Sequence, residues 1–309
     1  MTRTRIIYNP IAGKGGAAAL LPEVEAELKQ AGIQYDLVVT TAPWHAAELA
    51  WDAVKQGVDV VVAAGGDGTA NEVLNGLMLA KKAGDGEAVM GILTVGRGND
   101  YAFGMGVPAD WHDGVKALAG GRRKRMDVGL VTGELYPQGR YFGNGIGVGF
   151  DAVVGFVAAR SKLTGFMSYL VAAVKTISMY FNAPTLELTL DGETLTQPCL
   201  MVSVMNGKRM GGTFHMAPAS MGDDGLMDLC IVGEVSRMGI IKLIPRFMAG
   251  TQAGHPAVAY KQTRTLTVKA VKGTLPAHAD GETLCTEGHE LSVELFPQAI
   301  QMIVPEDMA

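Results

Sequence analysis

The segment Gly57–Gly76, GVDVVVAAGGDGTANEVLNG, leaves this chain few folds to choose from. Val58 to Ala64 is a short apolar, β-branched run of strand length, with Asp59 at its mouth. Gly65, Gly66, Asp67, Gly68 and Thr69 follow, and Ala70–Met78 reads as helix, with Val73, Leu74 and Leu77 on one face. A strand that ends in glycines and opens into a helix suits phosphate. Glycine lets the backbone approach closely, and the free N–H groups at the helix start favour an anion. Asp67 inside that turn would repel bare phosphate, so it points to a bridging metal ion or a proton acceptor. The string is neither GxxxxGK[ST] nor GxGxxG. Taken alone, Gly65–Gly68 also reads as a plain strand-to-helix turn.

The flanking segments repeat the alternation. Arg5–Tyr8 reads as a strand, Asn9-Pro10-Ile11-Ala12-Gly13 as the loop after it, and Ala17–Ala31 as a helix. Gln34–Val39 is a second strand with Thr40 at its exit, Ala46–Gln56 a second helix, and Ala88–Val95 a fourth strand. Such an order predicts a parallel sheet, with ligands outside the carboxyl ends of its strands. Four loops converge there: Asn9–Gly13, Thr40, Gly65–Thr69 and Gly96–Asp100. The basic run Gly120–Arg125 reads as a solvated helix end that could also meet anionic lipid headgroups. Beyond it come short runs at Met126–Val131, Tyr141–Asn144, Thr185–Leu190, Leu200–Asn206, Leu226–Val232, Thr265–Val271, His289–Leu295 and Ile300–Val304. They predict a second, largely antiparallel β domain, interrupted by helical candidates at Lys162–Phe181 and Ser236–Ala249.

A length of 309 residues suits two domains, and 48% hydrophobic with 18% charged residues excludes disorder. The net charge of −5 argues against a nucleic-acid binder. Cys199, Cys230 and Cys285 are few, far apart and form no CxxC, which fits a reducing cytoplasm. His45, His215 and His255 lack the paired spacing of a zinc site. The first sixteen residues hold no long apolar segment, and Leu163–Val174, bracketed by Lys162 and Lys175, is too short to span a bilayer. A cytoplasmic protein is expected, with surface contact to a membrane left open.

The motifs resemble the diacylglycerol kinase catalytic family, in particular its soluble bacterial lipid kinases. The matching pieces are Ile6–Gly15 (IIYNPIAGKG), Ala63–Gly76, Gly96–Asp100 (GRGND), Gly149–Ala152 (GFDA), Met221–Leu229 (MGDDGLMDL), Gly254–Val258 (GHPAV) and Asp280–Glu282 (DGE), in family order over nearly the whole chain. NAD kinases and phosphofructokinases share GGDGT, but the NEVLNG continuation and the late DGE resemble lipid kinases more closely. The resemblance implies an α/β N-terminal domain with a parallel sheet, NAD-kinase/phosphofructokinase-like, over residues 1–125, completed by the tail from about 297 to 309. It also implies a mainly antiparallel β-sandwich domain over 126–296. It implies ATP-dependent transfer of the γ-phosphoryl group to a lipid hydroxyl, in the cleft between the domains, with Mg²⁺ as the metal.

Residue roles carry over by the same resemblance. Asn9, Pro10, Ile11, Ala12 and Gly13, Thr40, and Gly66, Asp67, Gly68, Thr69, Ala70, Asn71 and Glu72 would hold the nucleotide. Glu282 matches the family's proton acceptor, with Asp280 beside it and Asp67 at the metal. An ordinary Asp-Gly hairpin would give the same DGE string. Asp224 with the carbonyls of Met221 and Leu226 resembles a family magnesium site, although a solvated acidic turn would read alike. Arg97 stands where relatives carry a threonine that touches the nucleotide, and either contacts phosphate or points away. Trp44-His45 replaces Gly-His or Gly-Asp, so Trp44 either flanks adenine or packs. Part of one candidate helix would line a groove for acyl tails. Diacylglycerol is the first acceptor expected; a sphingoid base, phosphatidylglycerol or a prenol-like alcohol is the alternative. NAD kinase activity and a non-catalytic nucleotide sensor are the rivals outside lipid chemistry. Edge strands leave a homodimer open.

Overall fold

The structure, a computed structural model, describes residues 2–96, 99–160, 166–179 and 183–306. The chain divides into two compact units, Met1–Asp127 with Gln298–Ala309, and Val128–Pro297.

The first unit alternates strand and helix: β1 (Thr4–Tyr8), α1 (Gly16–Gln30), β2 (Tyr35–Val39), α2 (His45–Lys55), β3 (Val60–Ala64), α3 (Asp67–Ala83), β4 (Val89–Leu93), α4 (Asp100–Gly104) and α5 (Trp111–Gly120). Its strands pair in parallel in the order β4-β3-β1-β2, and Met302 of the returning tail pairs with Met90 on the far side of β4. Every residue of β3 and β4 is buried, as a parallel sheet covered on both faces demands. That explains their continuous apolar composition. Helix α3 starts at Asp67 and runs on to Ala83, longer at both ends than apolar spacing suggests. The glycine-rich turn is itself its first turn, and Gly84 in the left-handed region ends it. Midway, Gly76 is required by close approach, since a Cβ there would collide with the Ala47 carbonyl of α2.

The second unit begins within β5 (Arg122–Gly133). The sequence reading of its basic start as a helix end is corrected here: α5 stops at Gly120 and Arg122–Arg125 are already strand. Then come β6 (Arg140–Phe142), β7 (Gly145–Gly149), α6 (Phe150–Ala159), α7 (Phe166–Met179), β8 (Thr185–Leu190), β9 (Glu193–Met205), β10 (Met227–Gly233), α8 (Arg237–Ala249), β11 (Val258–Thr263), β12 (Thr265–Lys272), β13 (Leu275–Ala279), β14 (Glu282–Gly288) and β15 (Glu290–Val304). The ends of the first long helical candidate, residues 162–165 and 180–181, lie outside the described residues.

Two layers share β9. Its first half pairs with β8, which leads through β12 to β15, β5 and β6. Its second half lies between β7 and β10, in the order β14-β13-β7-β9-β10-β11. Leu188, Val202, Leu229, Val268 and Leu291 meet between the layers, so the unit is an antiparallel β-sandwich. The alternate residues of the second layer, Met201, Met205, Cys230 and Val232, face outward and are covered by α6, α7 and α8 through Val154, Ala173 and Leu243. Two runs read as separate strands are one: β15 continues through Pro297 and carries the chain back to the first unit. There the Asp127 carboxylate accepts the Gln298 N–H at 2.7 Å.

Candidate active site

In the first unit, β1 and β3 are neighbours, and the helices that follow them lead to strands on opposite sides. That reversal opens a crevice at their carboxyl ends. The Asn9 N–H donates to the Ala64 carbonyl at 2.9 Å, and the Asn9 side-chain amide donates to Thr69 Oγ1 at 2.9 Å. The Thr40 N–H donates to the Tyr8 carbonyl at 2.9 Å, which brings the end of β2 alongside. On the other side the Gly96 N–H reaches the Gly65 carbonyl at 3.0 Å, and a Cβ on Gly96 would stand 2.5 Å from the Gly66 backbone. The glycines therefore let three loops lie backbone against backbone.

Helix α3 has no side-chain cap, so the N–H groups of its first turn point out of the helix without an intrahelical acceptor. Helix α1 follows Gly15 at φ 89°, with Gly13 and Lys14 both at φ 63°, and its Gly16 and Ala18 N–H groups donate to the Ala12 and Pro10 carbonyls. Gly66, Asp67 and Gly68 are half-exposed, whereas Thr69, Ala70 and Asn71 are buried. The uncapped start of α3, with its dipole and amides at the carboxyl end of the sheet, is suited to an anion.

The remaining predicted residues divide by what they touch. Pro10, Ala12, Gly13 and Thr40 are half-buried along the rim, and Ile11 is 76% exposed. Asp67 accepts the Tyr101 N–H at 2.9 Å, which ties α3 to the start of α4. Asn71 faces inward, with its carbonyl and side-chain oxygen accepting from Asn75 at 2.8 and 3.2 Å. Glu72 accepts the Ala46 N–H at 3.1 Å and so caps α2 from a neighbouring helix. Trp44, just before α2, holds φ 70°, a conformation suited to glycine. Arg97 lies outside the described residues.

In the second unit, β13 and β14 form a two-residue hairpin, with Ala279 opposite Glu282 and Asp280 and Gly281 at φ 47° and 86°. Asp280 is buried. Its carboxylate accepts the N–H groups of Gly143, Asn144 and Gly145 at 2.9, 3.1 and 2.9 Å. These bonds give Asp280 the work of holding the turn into β7. The Glu282 side chain is 48% exposed and stands 3.9 Å from the buried Arg140 guanidinium. At the acidic turn, Asp224 accepts the Leu226 N–H at 3.0 Å, while Met221 is exposed. Burial pushes the Asp228 carboxyl up, the nearby Asp224 charge adds to that, and Asp228 Oδ2 has no hydrogen-bond partner. Among the described residues, no three His, Cys, Asp or Glu side chains cluster as a metal-binding set.

One buried group escaped the sequence. His278 of β13 and Ser203 of β9 both pair with Gly147 of β7, so they stand on one face with only a glycine between them. Asp151 of α6 fills that gap and accepts the Ser203 hydroxyl at 2.7 Å. Burial pushes the Asp151 carboxyl up to about 7 and the His278 imidazole down to about 4. No spacing in the chain links positions 151, 203 and 278; only strand register unites them.

A parallel α/β unit with this loop at its switch point, followed by an antiparallel sandwich, is the architecture of NAD-kinase-like proteins. An NAD kinase from Archaeoglobus fulgidus, solved in complex with ATP, superposes with a TM-score of 0.51 at 14% identity, over 98% of this chain and 93% of that one. A diacylglycerol kinase from Bacillus anthracis superposes more closely, with a TM-score of 0.74 at 20% identity, over 98% and 96% of the two chains. Residues 3–131 match the diacylglycerol kinase catalytic domain, and residues 144–304 match the YegS C-terminal NAD kinase β-sandwich-like domain. Among relatives, the diacylglycerol kinase of Bacillus subtilis is 30% identical over 287 residues, covering 91% of this chain and 90% of its own. That of Mycobacterium tuberculosis is 28% identical over 302 residues, covering 97% and 94%. This chain belongs to the diacylglycerol kinase catalytic-domain family of lipid kinases.

Proposed function

We propose that the protein transfers the γ-phosphoryl group of ATP to the hydroxyl of a membrane lipid, with diacylglycerol as acceptor and phosphatidic acid as product. One observation carries the nucleotide half of this reading: the uncapped start of α3 at Gly66–Thr69, joined to the β1 loop by the Asn9–Thr69 hydrogen bond. Fixed amide dipoles there suit a polyphosphate and cost no reorganisation during the reaction. Gly66–Gly68 and Asn9–Gly13 hold the phosphates, and Thr40 borders the nucleoside. The names of the relatives support diacylglycerol as the acceptor.

Glu282 is the proton acceptor of this scheme. It is half-exposed just after the hairpin turn, with Asp280 fixing the loop opposite and Arg140 close to its carboxylate. As the new P–O bond forms, Glu282 takes the hydroxyl proton and the β–γ bridging oxygen leaves with ADP. Mg²⁺, when bound, neutralises phosphate charge. Asp67 is a half-exposed carboxylate at the start of α3 and has the hard oxygen donors this ion prefers. The orphaned Asp228 Oδ2 beside Asp224 fits a second, structural Mg²⁺ held with the carbonyls of Met221 and Leu226. The protein acts from the cytoplasm as a peripheral enzyme; among the described residues, no helix is long and apolar enough to cross a membrane.

The test is incubation with γ-labelled ATP, Mg²⁺ and a total lipid extract, with NAD added in a parallel reaction. Labelled phosphatidic acid is expected. Label in another lipid phosphate would replace the acceptor, and label in NADP alone would overturn the lipid reading.

A further inference from the structure

Helix α8 (Arg237–Ala249, RMGIIKLIPRFMA) buries Ile240, Leu243 and Phe247 against the outer sheet layer, a role its apolar spacing serves well. Its opposite face is unusual. Met238 is 59% exposed and Ile241 48% exposed, one turn apart, and exposed Pro245 continues the same stripe. At 100° per residue, exposed Lys242 and Arg246 run along one side of that stripe. The helix contains no acid; Glu234 precedes its Ser236 cap. Beside it packs α7, where Val174 is 58% exposed and Lys175 is exposed next to it. Apolar side chains and cations thus share the outer face of α8, and Val174 and Lys175 are exposed on the helix packed against it, in a chain whose net charge is −5.

We infer that the outer face of α8, extended by Val174 and Lys175 of α7, is the surface by which the second unit docks on an anionic lipid bilayer. An amphipathic helix lying in the interface inserts its apolar stripe at the headgroup boundary and sets its cations against anionic headgroups. Met238 and Ile241 are the inserted side chains, and Lys242, Arg246 and Lys175 supply the attraction. Charge complementarity selects a membrane as the occupant: a second copy of this face would bring like charges together. The inference rests on the lipid-kinase reading for its biological sense, yet docking is measurable without catalysis.

The experiment is flotation of the full chain with vesicles of phosphatidylcholine alone and with phosphatidylglycerol added, at low and high salt. Binding is expected on the anionic vesicles and should weaken as salt rises. K242Q/R246Q is expected to lower that binding roughly thirtyfold, and M238D/I241D to abolish insertion monitored by bilayer-depth quenching. Both variants keep full turnover of a short-chain diacylglycerol dispersed in water, which separates a docking failure from a failed activity assignment. Unchanged vesicle binding in both variants overturns the inference. So does a concentration-dependent dimer that M238D/I241D dissolves, since a second copy would then be the occupant.

Discussion

In the proposed reaction Glu282 and Asp67 carry the chemistry, and their neighbours make those two roles separable. Glu282→Gln keeps the hairpin and the size of the side chain but removes the proton acceptor. Turnover is expected to fall by about 10²–10⁴-fold with nucleotide affinity retained, as read by calorimetric titration alongside a product assay. Equal activity in that variant would remove Glu282 from the mechanism. Asp67 has a structural duty as well, through the Tyr101 N–H. Asp67→Asn keeps an oxygen to accept that hydrogen bond and Asp67→Ala does not. Metal binding needs the charge, so both variants are expected to lose lipid phosphorylation at saturating Mg²⁺. Recovery in Asp67→Asn alone would leave only the loop-holding role.

At the scale of elements, the Asp280 side chain ties the tip of the β13–β14 hairpin to the turn that enters β7. Asp280→Ala leaves three buried N–H groups without their acceptor and should cost about 3 kcal/mol or more in urea unfolding, since each unsatisfied donor costs about 1–3 kcal/mol. The His278–Gly147–Ser203 row gives a pH signature. Folded Asp151 keeps its proton up to about 7 while an unfolded carboxyl loses it near its ordinary value, so its contribution to stability falls as pH rises through that window. His278 acts the other way: unprotonated in the fold down to about 4, it adds stability as pH rises from there to its ordinary range. The two slopes oppose. Asp151→Asn is expected to unmask the second, so that its urea midpoint climbs between about pH 4 and 6.5 more steeply than the parent's.

The same elements show what the sequence could reveal. The apolar runs of β1, β3 and β4 and the glycines after β3 announced the parallel sheet and its ligand end, because buried parallel strands need unbroken apolar composition. Strand β7, GIGVG, lies outside the runs read as strands, since its glycines serve close packing by Asp151 and Met205, a reason visible only in register. The basic start of β5 lacks the alternation that marks a strand. Glu72 stood in the motif as a nucleotide contact, and its bond to Ala46 depends on how α2 and α3 pack.

Over the whole molecule, two units are built by different rules, and the proposed reaction draws on each. The first offers amides at a switch point, and the second offers a carboxylate on a hairpin and an outer helix suited to a lipid surface. Nucleotide that binds only the folded state should raise the melting temperature with concentration, and more so with Mg²⁺ than with chelator. The most direct measurement of the central claim is a crystal structure of the protein with ATP and Mg²⁺. Phosphate oxygens are expected within hydrogen-bonding distance of the Gly66–Thr69 amides and of the Asn9–Gly13 loop. Nucleotide bound away from those amides would contradict that claim.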